Sequence, residues 1–148
     1  MKLCLASSPG GHLTEMSFLE PLFKKYDHFF VTAEGPNTAS LQKREKVYLV
    51  VNSKRNPLKL VKNFFQSFRV LLKEKPDVII STGAGVAVPT CFLGKFMGSK
   101  IIFIESFCRI ENPAFSSKLV YPISDLFIVQ WKRMLKYYPR SVYGALVT

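Results

Sequence analysis

The stretch Ser7-Ser8-Pro9-Gly10-Gly11-His12-Leu13-Thr14-Glu15 decides the fold of this 148-residue chain. It follows a short apolar run at residues 3–6 and precedes an amphipathic pattern, so it predicts a strand, a glycine turn and a helix. Adjacent glycines let the backbone approach a ligand closely, and a helix start directs N–H groups at that ligand. We therefore predict an anion site, with phosphate as the expected ligand, at Ser8, Gly10 and Gly11.

Two titratable side chains accompany this turn. His12 projects from the turn itself, and Glu15 follows about one helical turn later. The spacing predicts a base and a carboxylate beside the anion site. Such a pair could carry out acid–base chemistry near a phosphate. The alternative is an ordinary strand-to-helix turn in which the histidine only caps or packs.

Composition restricts the possible partners and compartments. The formal net charge of +11 favours an anionic partner, and the absence of a recognised reader motif argues against nucleic acid. Cys4, Cys91 and Cys108 lie far apart without metal-ligand spacing, so we expect reduced thiols and no metal. The apolar runs are too short for a signal peptide or a membrane-spanning helix. We expect a cytoplasmic protein that needs no cofactor.

Six short β-rich runs alternate with helical patterns along the chain. Such alternation predicts an α/β fold, a Rossmann-like doubly wound parallel sheet in one domain over residues 1–148. In this fold the turns after residues 6, 81 and 104 meet at one edge of the sheet. The predicted strands are 3–7, 28–32, 47–51, 78–81, 100–104 and 126–129.

Residues 57–73 form one helical pattern that opens with a proline. We expect its apolar stripe to pack on the sheet; the stripe consists of Leu58, Val61, Phe65, Phe68 and Leu72. Basic residues line the opposite flank, and further apolar residues widen the arc, which suits the surface of an anionic membrane. The predicted lipid-facing residues are Lys59, Lys62, Phe64, Arg69 and Lys73. A core helix with a solvated basic edge is the alternative.

A second glycine turn follows the predicted strand at residues 78–81. Thr82, Gly83 and Gly85 are expected to hold another anionic or sugar group, and Glu105 reaches the same edge from the next strand. Gly83-x-Gly85 followed by Glu105 also admits a dinucleotide site, although Val88 occupies the third fingerprint position. The structural alternatives for Glu105 are an ion pair with Arg109 and a helix cap near Asn112.

Three stretches, residues 8–15, 76–85 and 104–106, together resemble the amino-terminal domain of MurG-like inverting glycosyltransferases. More closely, the whole chain resembles the PssD/EpsE-type subunits of capsular and exopolysaccharide synthesis, and residues 118–122 and 129–131 also fit them. Those subunits are relatives of the membrane-recruiting subunit of the split eukaryotic N-acetylglucosaminyltransferase.

The resemblance implies half of a GT-B glycosyltransferase, in which this acceptor-side domain meets a small UDP-sugar-binding chain to form a heterodimer. It implies transfer of a sugar from a UDP-sugar to a lipid-diphosphate-linked acceptor in capsular or extracellular polysaccharide synthesis, with little activity without the partner. Gly10 and Gly11 would hold the diphosphate, and His12 or Glu15 would be the base. The competing role is a non-catalytic adaptor that recruits and activates the partner. Either role implies attachment at the inner face of the cell membrane, peripherally or through partners.

Overall fold

A computed structural model describes residues 1–146 and contains one parallel sheet of seven strands in the order β3-β2-β1-β4-β5-β6-β7. This order confirms the predicted doubly wound α/β fold. The strands are β1 (Lys2–Ser7), β2 (Asp27–Thr32), β3 (Val47–Leu49), β4 (Val78–Gly83), β5 (Lys100–Ile104), β6 (Leu126–Val129) and β7 (Val142–Tyr143). Six of them were predicted, and β7 was not.

Helices cover both faces of the sheet, and three short 3₁₀ segments supplement them within residues 1–146. The helices are α1 (Gly11–Ser17), α2 (Glu20–Phe23), α3 (Thr38–Gln42), α4 (Pro57–Glu74), α5 (Val88–Phe96) and α6 (Phe115–Val120). The 3₁₀ segments are Gly85–Ala87, Tyr121–Ile123 and Lys132–Lys136.

Successive strand residues alternate between two apolar layers, one on each face of the sheet. Leu5, Phe30 and Ile80 belong to one layer, and Cys4 and Ile79 belong to the other. Burial on both faces is the arrangement that crossover helices impose on a parallel sheet.

The chain reverses its direction of winding between β1 and β4, which are neighbours in the sheet. The register shifts after Ala6, so Ser7 lies opposite Gly83, and the Ser8 amide donates to the Gly83 carbonyl at 3.2 Å. Since β1, β4 and β5 are adjacent and parallel, the turns that follow them meet at one edge. This confirms the predicted meeting of those turns.

Helix α4 is present as predicted, but the prediction that its apolar stripe packs on the sheet is wrong. Leu58 is 81% exposed, Val61 52% and Phe65 59%, and Phe68 and Leu72 are exposed as well. The buried face instead contains Asn63, Ser67, Val70, Leu71 and Glu74.

Hydrogen bonds to the body of the protein explain this inverted orientation. The Asn63 amide donates to the carbonyls of Val51 and Val86 at 2.9 and 3.2 Å. Ser67 donates to the Asn63 side chain at 2.9 Å and accepts from Thr90 of α5 at 3.1 Å. These contacts satisfy the carbonyls of Val51 and Val86, and a buried carbonyl without a donor would cost about 1–3 kcal/mol. The stripe of Leu58, Val61, Phe65, Phe68 and Leu72 therefore faces outward, while Val70 and Leu71 stay on the buried side.

Candidate functional site

An open cavity of about 650 Å³ lies at the edge where β1, β4 and β5 end. Of the residues predicted for binding or catalysis, Ser8, His12, Gly83, Gly85 and Glu105 line it. The remaining lining residues are Asn52, Ser53, Lys54, Arg55, Ala84, Arg109, Ala114, Phe115, Ser116 and Ser117. The cavity thus combines the first glycine turn, the second glycine turn and the end of β5.

His12 is half-buried at the cavity, and Thr82 fixes its orientation. The ring Nδ1 lies 2.9 Å from the Thr82 carbonyl oxygen, and the Thr82 hydroxyl donates to the His12 carbonyl at 2.7 Å. Because a carbonyl oxygen only accepts, Nδ1 carries the hydrogen, and a neutral ring keeps Nε2 as an acceptor. His12 therefore has the tautomer that a general base requires.

The backbone beneath His12 is special at two positions. Gly83 has φ +114°, and a Cβ there would lie 3.3 Å from both Cε1 and Nδ1 of His12. Ala84 has φ 70° and ψ 169°, in a region that residues other than glycine rarely occupy. Such backbone strain costs about 1–3 kcal/mol and clusters at ligand sites.

The Glu105 carboxylate is buried and held by neutral donors. It accepts from the Ser117 hydroxyl at 2.7 Å, the Ser106 amide at 3.1 Å and the Tyr138 hydroxyl at 3.2 Å. Burial and the neighbouring Glu105 charge raise the pKa of Tyr138, so this phenol remains a donor. Among the ion pairs of residues 1–146, none joins Glu105 to Arg109.

Glu15 lies behind the cavity. Its buried carboxylate accepts from the Ser106 hydroxyl at 2.7 Å, the Phe107 amide at 3.2 Å and the Gln130 amide at 3.3 Å. These donors come from the turn after β5 and from the residue that follows β6. The Glu15 carboxylate therefore positions the turn after β5, which leads to Arg109.

Three further predicted binding residues lie outside the cavity lining. The Gly10 amide donates to the Pro36 carbonyl at 3.2 Å, and Gly10 has φ +85°, which explains the glycine. Gly11 begins α1, and Thr82 is fully buried beside His12. Gly10 and Gly11 therefore shape the first turn, and Thr82 holds His12 in place.

Lys54, Arg55 and Arg109 also line the cavity, and none of them was among the predicted site residues. The first two belong to the loop before α4, and Arg109 follows the turn after β5. The adjacent basic pair just before a helix start was the available signal. Nothing in the local pattern placed that pair beside His12, because the sheet topology brings them together.

A second candidate surface, here called the outer apolar face, is formed by Leu58, Val61, Phe64, Phe65, Phe68 and Leu72 of α4. Helix α5, which packs beside α4, also exposes Phe92 and Phe96, and Phe96 is 92% exposed. The predicted lipid-facing residues Lys59, Lys62, Phe64, Arg69 and Lys73 are all exposed. Within residues 1–146, every helix is too short or too polar to span a bilayer.

One known protein family matches the larger part of this chain. The sequence profile of the family described as "Oligosaccharide biosynthesis protein Alg14 like" matches residues 52–147, which is more than half of the chain. The chain belongs to the Alg14-like family. The matched region includes the basic loop, α4, the second glycine turn and the Glu105 turn.

Curated relatives of this Alg14-like chain are named as transferase subunits. The human "UDP-N-acetylglucosamine transferase subunit ALG14" is 37% identical over 52% of this chain and 38% of its own length. The protein of the same name from Debaryomyces hansenii is 30% identical over 93% of this chain and 73% of its own length. The matched part is thus well under half of the human relative.

Solved structures of a glycosyltransferase and of UDP-N-acetylglucosamine 2-epimerases share this fold. MurG from Acinetobacter baumannii superposes with a TM-score of 0.82 at 15% sequence identity. The superposition covers 100% of this Alg14-like chain and 47% of the MurG chain. At this identity the likeness establishes the fold alone, and it confirms the MurG-like part of the predicted resemblance.

Proposed function

We propose that this chain is the membrane-docking, acceptor-side subunit of a two-chain glycosyltransferase that uses a UDP-sugar and a lipid-linked saccharide acceptor. The observation that carries the proposal is the cavity at the carboxyl edge of the sheet, in a domain that corresponds to about half of a MurG chain. The relatives' name, transferase subunit, supports the same division. A partner chain supplies the UDP-sugar site, and recruitment and activation of that partner are the main role of this chain.

Copurification tests the proposal. The tagged chain, isolated from its native cells in mild detergent, is expected to carry one small stoichiometric partner that binds a UDP-sugar. A chain that is eluted alone, from extracts in which the candidate partner is present, would contradict the two-chain division.

A direct catalytic role is the second candidate, and the fixed tautomer of His12 favours it. With Nδ1 bonded to Thr82, Nε2 is available to accept the proton of an acceptor hydroxyl. His12→Ala separates the two roles because it leaves the outer apolar face untouched. A base at His12 predicts a fall in kcat of about 10²-fold or more with the complex intact, whereas an adaptor keeps its rate. His28→Ala is the control, since His28 pairs with Glu45 outside the cavity lining.

The outer apolar face supports peripheral attachment to a membrane. Contiguous exposed apolar patches on soluble proteins mark interaction surfaces, and here a row of basic residues runs along the same helix. An amphipathic helix with aromatic and basic flanks lies at the boundary of headgroups and acyl chains, where each basic residue adds about 1 kcal/mol. We place this face on the inner leaflet of the cell membrane.

Vesicle flotation tests the attachment. The purified chain is expected to float with phosphatidylglycerol vesicles and to float less with phosphatidylcholine vesicles. Phe65→Ser with Phe68→Ser is expected to weaken partitioning about tenfold or more, because the two partly exposed rings together gain part of the roughly 1.5–3 kcal/mol that full burial of each would contribute. The matched control replaces Phe18 and Leu22, which are 50% and 44% exposed on another surface. Equal flotation of both double variants would contradict the assignment.

We place the reaction in capsular or extracellular polysaccharide assembly, on the resemblance carried by residues 118–122 and 129–131. Cells that lack the chain are expected to accumulate the unextended lipid-linked acceptor and to lose the surface polysaccharide. An intact surface polysaccharide, with loss of a different lipid-linked oligosaccharide, would contradict this placement.

A further inference from the structure

Three cationic side chains converge on the cavity from two separate segments. Lys54 and Arg55 come from the loop between β3 and α4, and Arg109 comes from the segment after β5. Among the ion pairs of residues 1–146, none includes any of the three. Glu105 is the lining carboxylate, so three cations against one anion leave a formal excess of two positive charges.

The loop holds this pair of cations at an energetic cost. Lys54 has φ 41° and Arg55 has φ 67°, two consecutive residues in the left-handed region. Residues with a Cβ adopt this region at a cost of about 1–2 kcal/mol each. The adjacent Asn56 side chain caps α4 by accepting from the Leu58 and Lys59 amides at 3.0 and 3.3 Å. The first amides of α4 are thereby satisfied, and the loop presents side-chain charge to the cavity.

We propose that Lys54, Arg55 and Arg109 form a clamp for a diphosphate ester in this cavity. The inference rests on the proposed function and deepens it, since it names the recognised group and its ligands. The two excess positive charges match the two negative charges of a diphosphate diester. Guanidinium groups also bind phosphate oxygens in a forked geometry. The clamp replaces Gly10 and Gly11 as the diphosphate ligands, because the Gly10 amide already donates to Pro36 and neither glycine lines the cavity.

The position of the clamp connects the two candidate surfaces. Residues 54 and 55 immediately precede α4, whose outer apolar face we place on the membrane. A diphosphate attached to a membrane lipid would then lie at headgroup level beside the clamp. His12 lines the same cavity and would face the saccharide that such a lipid carries.

Titration calorimetry with the full chain tests the clamp. The probes are farnesyl diphosphate, which represents a lipid source, UDP, which represents a nucleotide source, and farnesyl monophosphate as a charge control. The test variant is Lys54→Ser with Arg55→Ser. The matched control is Lys43→Ser with Arg44→Ser, an adjacent exposed pair that does not line the cavity.

The test variant is expected to bind a diphosphate ester about tenfold or more weakly, because each charge-assisted contact is worth about tenfold in affinity. The control is expected to bind as the wild-type chain does. A loss confined to farnesyl diphosphate identifies a lipid source, and a loss confined to UDP identifies a nucleotide source. Unchanged binding in the test variant, no diphosphate binding in the wild-type chain, or equal binding of the monophosphate would overturn the clamp. The two-chain function stands if copurification succeeds while the clamp fails.

Discussion

His12 and Thr82 are joined by two hydrogen bonds that run in opposite directions. The His12 ring donates from Nδ1 to the Thr82 carbonyl at 2.9 Å, and the Thr82 hydroxyl donates to the His12 carbonyl at 2.7 Å. The two residues lie 70 positions apart. His12 is in the first turn of α1, which follows β1, and Thr82 is near the end of the neighbouring strand β4. This pairing gives the histidine one tautomer and one orientation.

Thr82→Val tests the pairing, because valine keeps the shape and the carbonyl but removes the hydroxyl. The buried His12 carbonyl then loses a donor, which lowers the free energy of unfolding by about 1–2 kcal/mol. If His12 is the base, the transfer rate of the complex falls as well. Thr82→Ser, which keeps the hydroxyl, is expected to restore both quantities. Identical urea denaturation curves for Thr82→Val and the wild-type chain would show that the hydroxyl does not stabilise the turn.

Gly83→Ala is expected to lower the free energy of unfolding by about 1–2 kcal/mol or more, because alanine resists a positive φ. Its Cβ would also press on the His12 ring. Gly85→Ala is the matched control, since no atom lies within 4 Å of the Cβ position and the φ is not positive. Urea denaturation of both variants measures the difference. Equal losses would contradict the special role of Gly83.

Glu15→Gln is expected to act on the fold rather than on proton transfer. The carboxylate accepts from Ser106, Phe107 and Gln130, and an amide NH₂ in its place would meet a donor. The loss is about 1–3 kcal/mol in the free energy of unfolding. The transfer rate per folded complex is expected to keep its pH profile. A pH profile that loses one limb would instead make Glu15 the base.

Asn63→Ala tests the inverted orientation of α4. The change leaves the Val51 and Val86 carbonyls without their donor and is expected to cost about 2–3 kcal/mol. Arg69→Ala, on the exposed side of the same helix, is expected to stay within about 0.5 kcal/mol of the wild-type chain. If Arg69→Ala proved the more damaging change, the assignment of the inner face would be wrong.

Glu74 makes the stability depend on pH. Burial opposes its ionisation, but hydrogen bonds from Lys46, Tyr48 and Lys2 lower the pKa of the carboxyl group to about 2. A lowered pKa stabilises the folded state above the ordinary value of 4.5, and that contribution is lost as the pH falls through about 2.

Glu74→Gln is therefore expected to lower the free energy of unfolding at pH 7 by about 1–2 kcal/mol, allowing for the exposure of the lysines. The difference from the wild-type chain shrinks below pH 4 and vanishes near pH 2. Urea denaturation across this range measures it. A difference that does not change with pH would contradict the ionic origin.

The strands were predictable where apolar runs are bounded by turn formers or charges. The exception is β7, because Val142 and Tyr143 form a two-residue edge strand with exposed side chains. Helix α4 was predictable in extent but not in orientation. A helical wheel identifies an apolar side, whereas the hydrogen bonds of Asn63 depend on the carbonyls of Val51 and Val86, which lie in two other segments of the chain.

The site was predictable to the extent that it lies at the ends of β1, β4 and β5. The helical wheel and the motifs did not predict that Lys54, Arg55 and Arg109 line one cavity. The strand order brings their segments together. The sequence of the first turn also predicted that backbone amides bind the anion, but the Gly10 amide donates to the Pro36 carbonyl instead. Local patterns therefore located the edge, and tertiary contacts decided which groups face a ligand.

The measurement that tests the central claim most directly is UDP-sugar-dependent transfer to a lipid-linked acceptor by this chain alone, by its copurified partner alone and by the two together. Transfer by the pair, with little by either chain alone, is the expected result. Full activity of the partner without this chain, in the presence of membranes that contain the acceptor, would contradict the claim that this chain is the acceptor-side subunit.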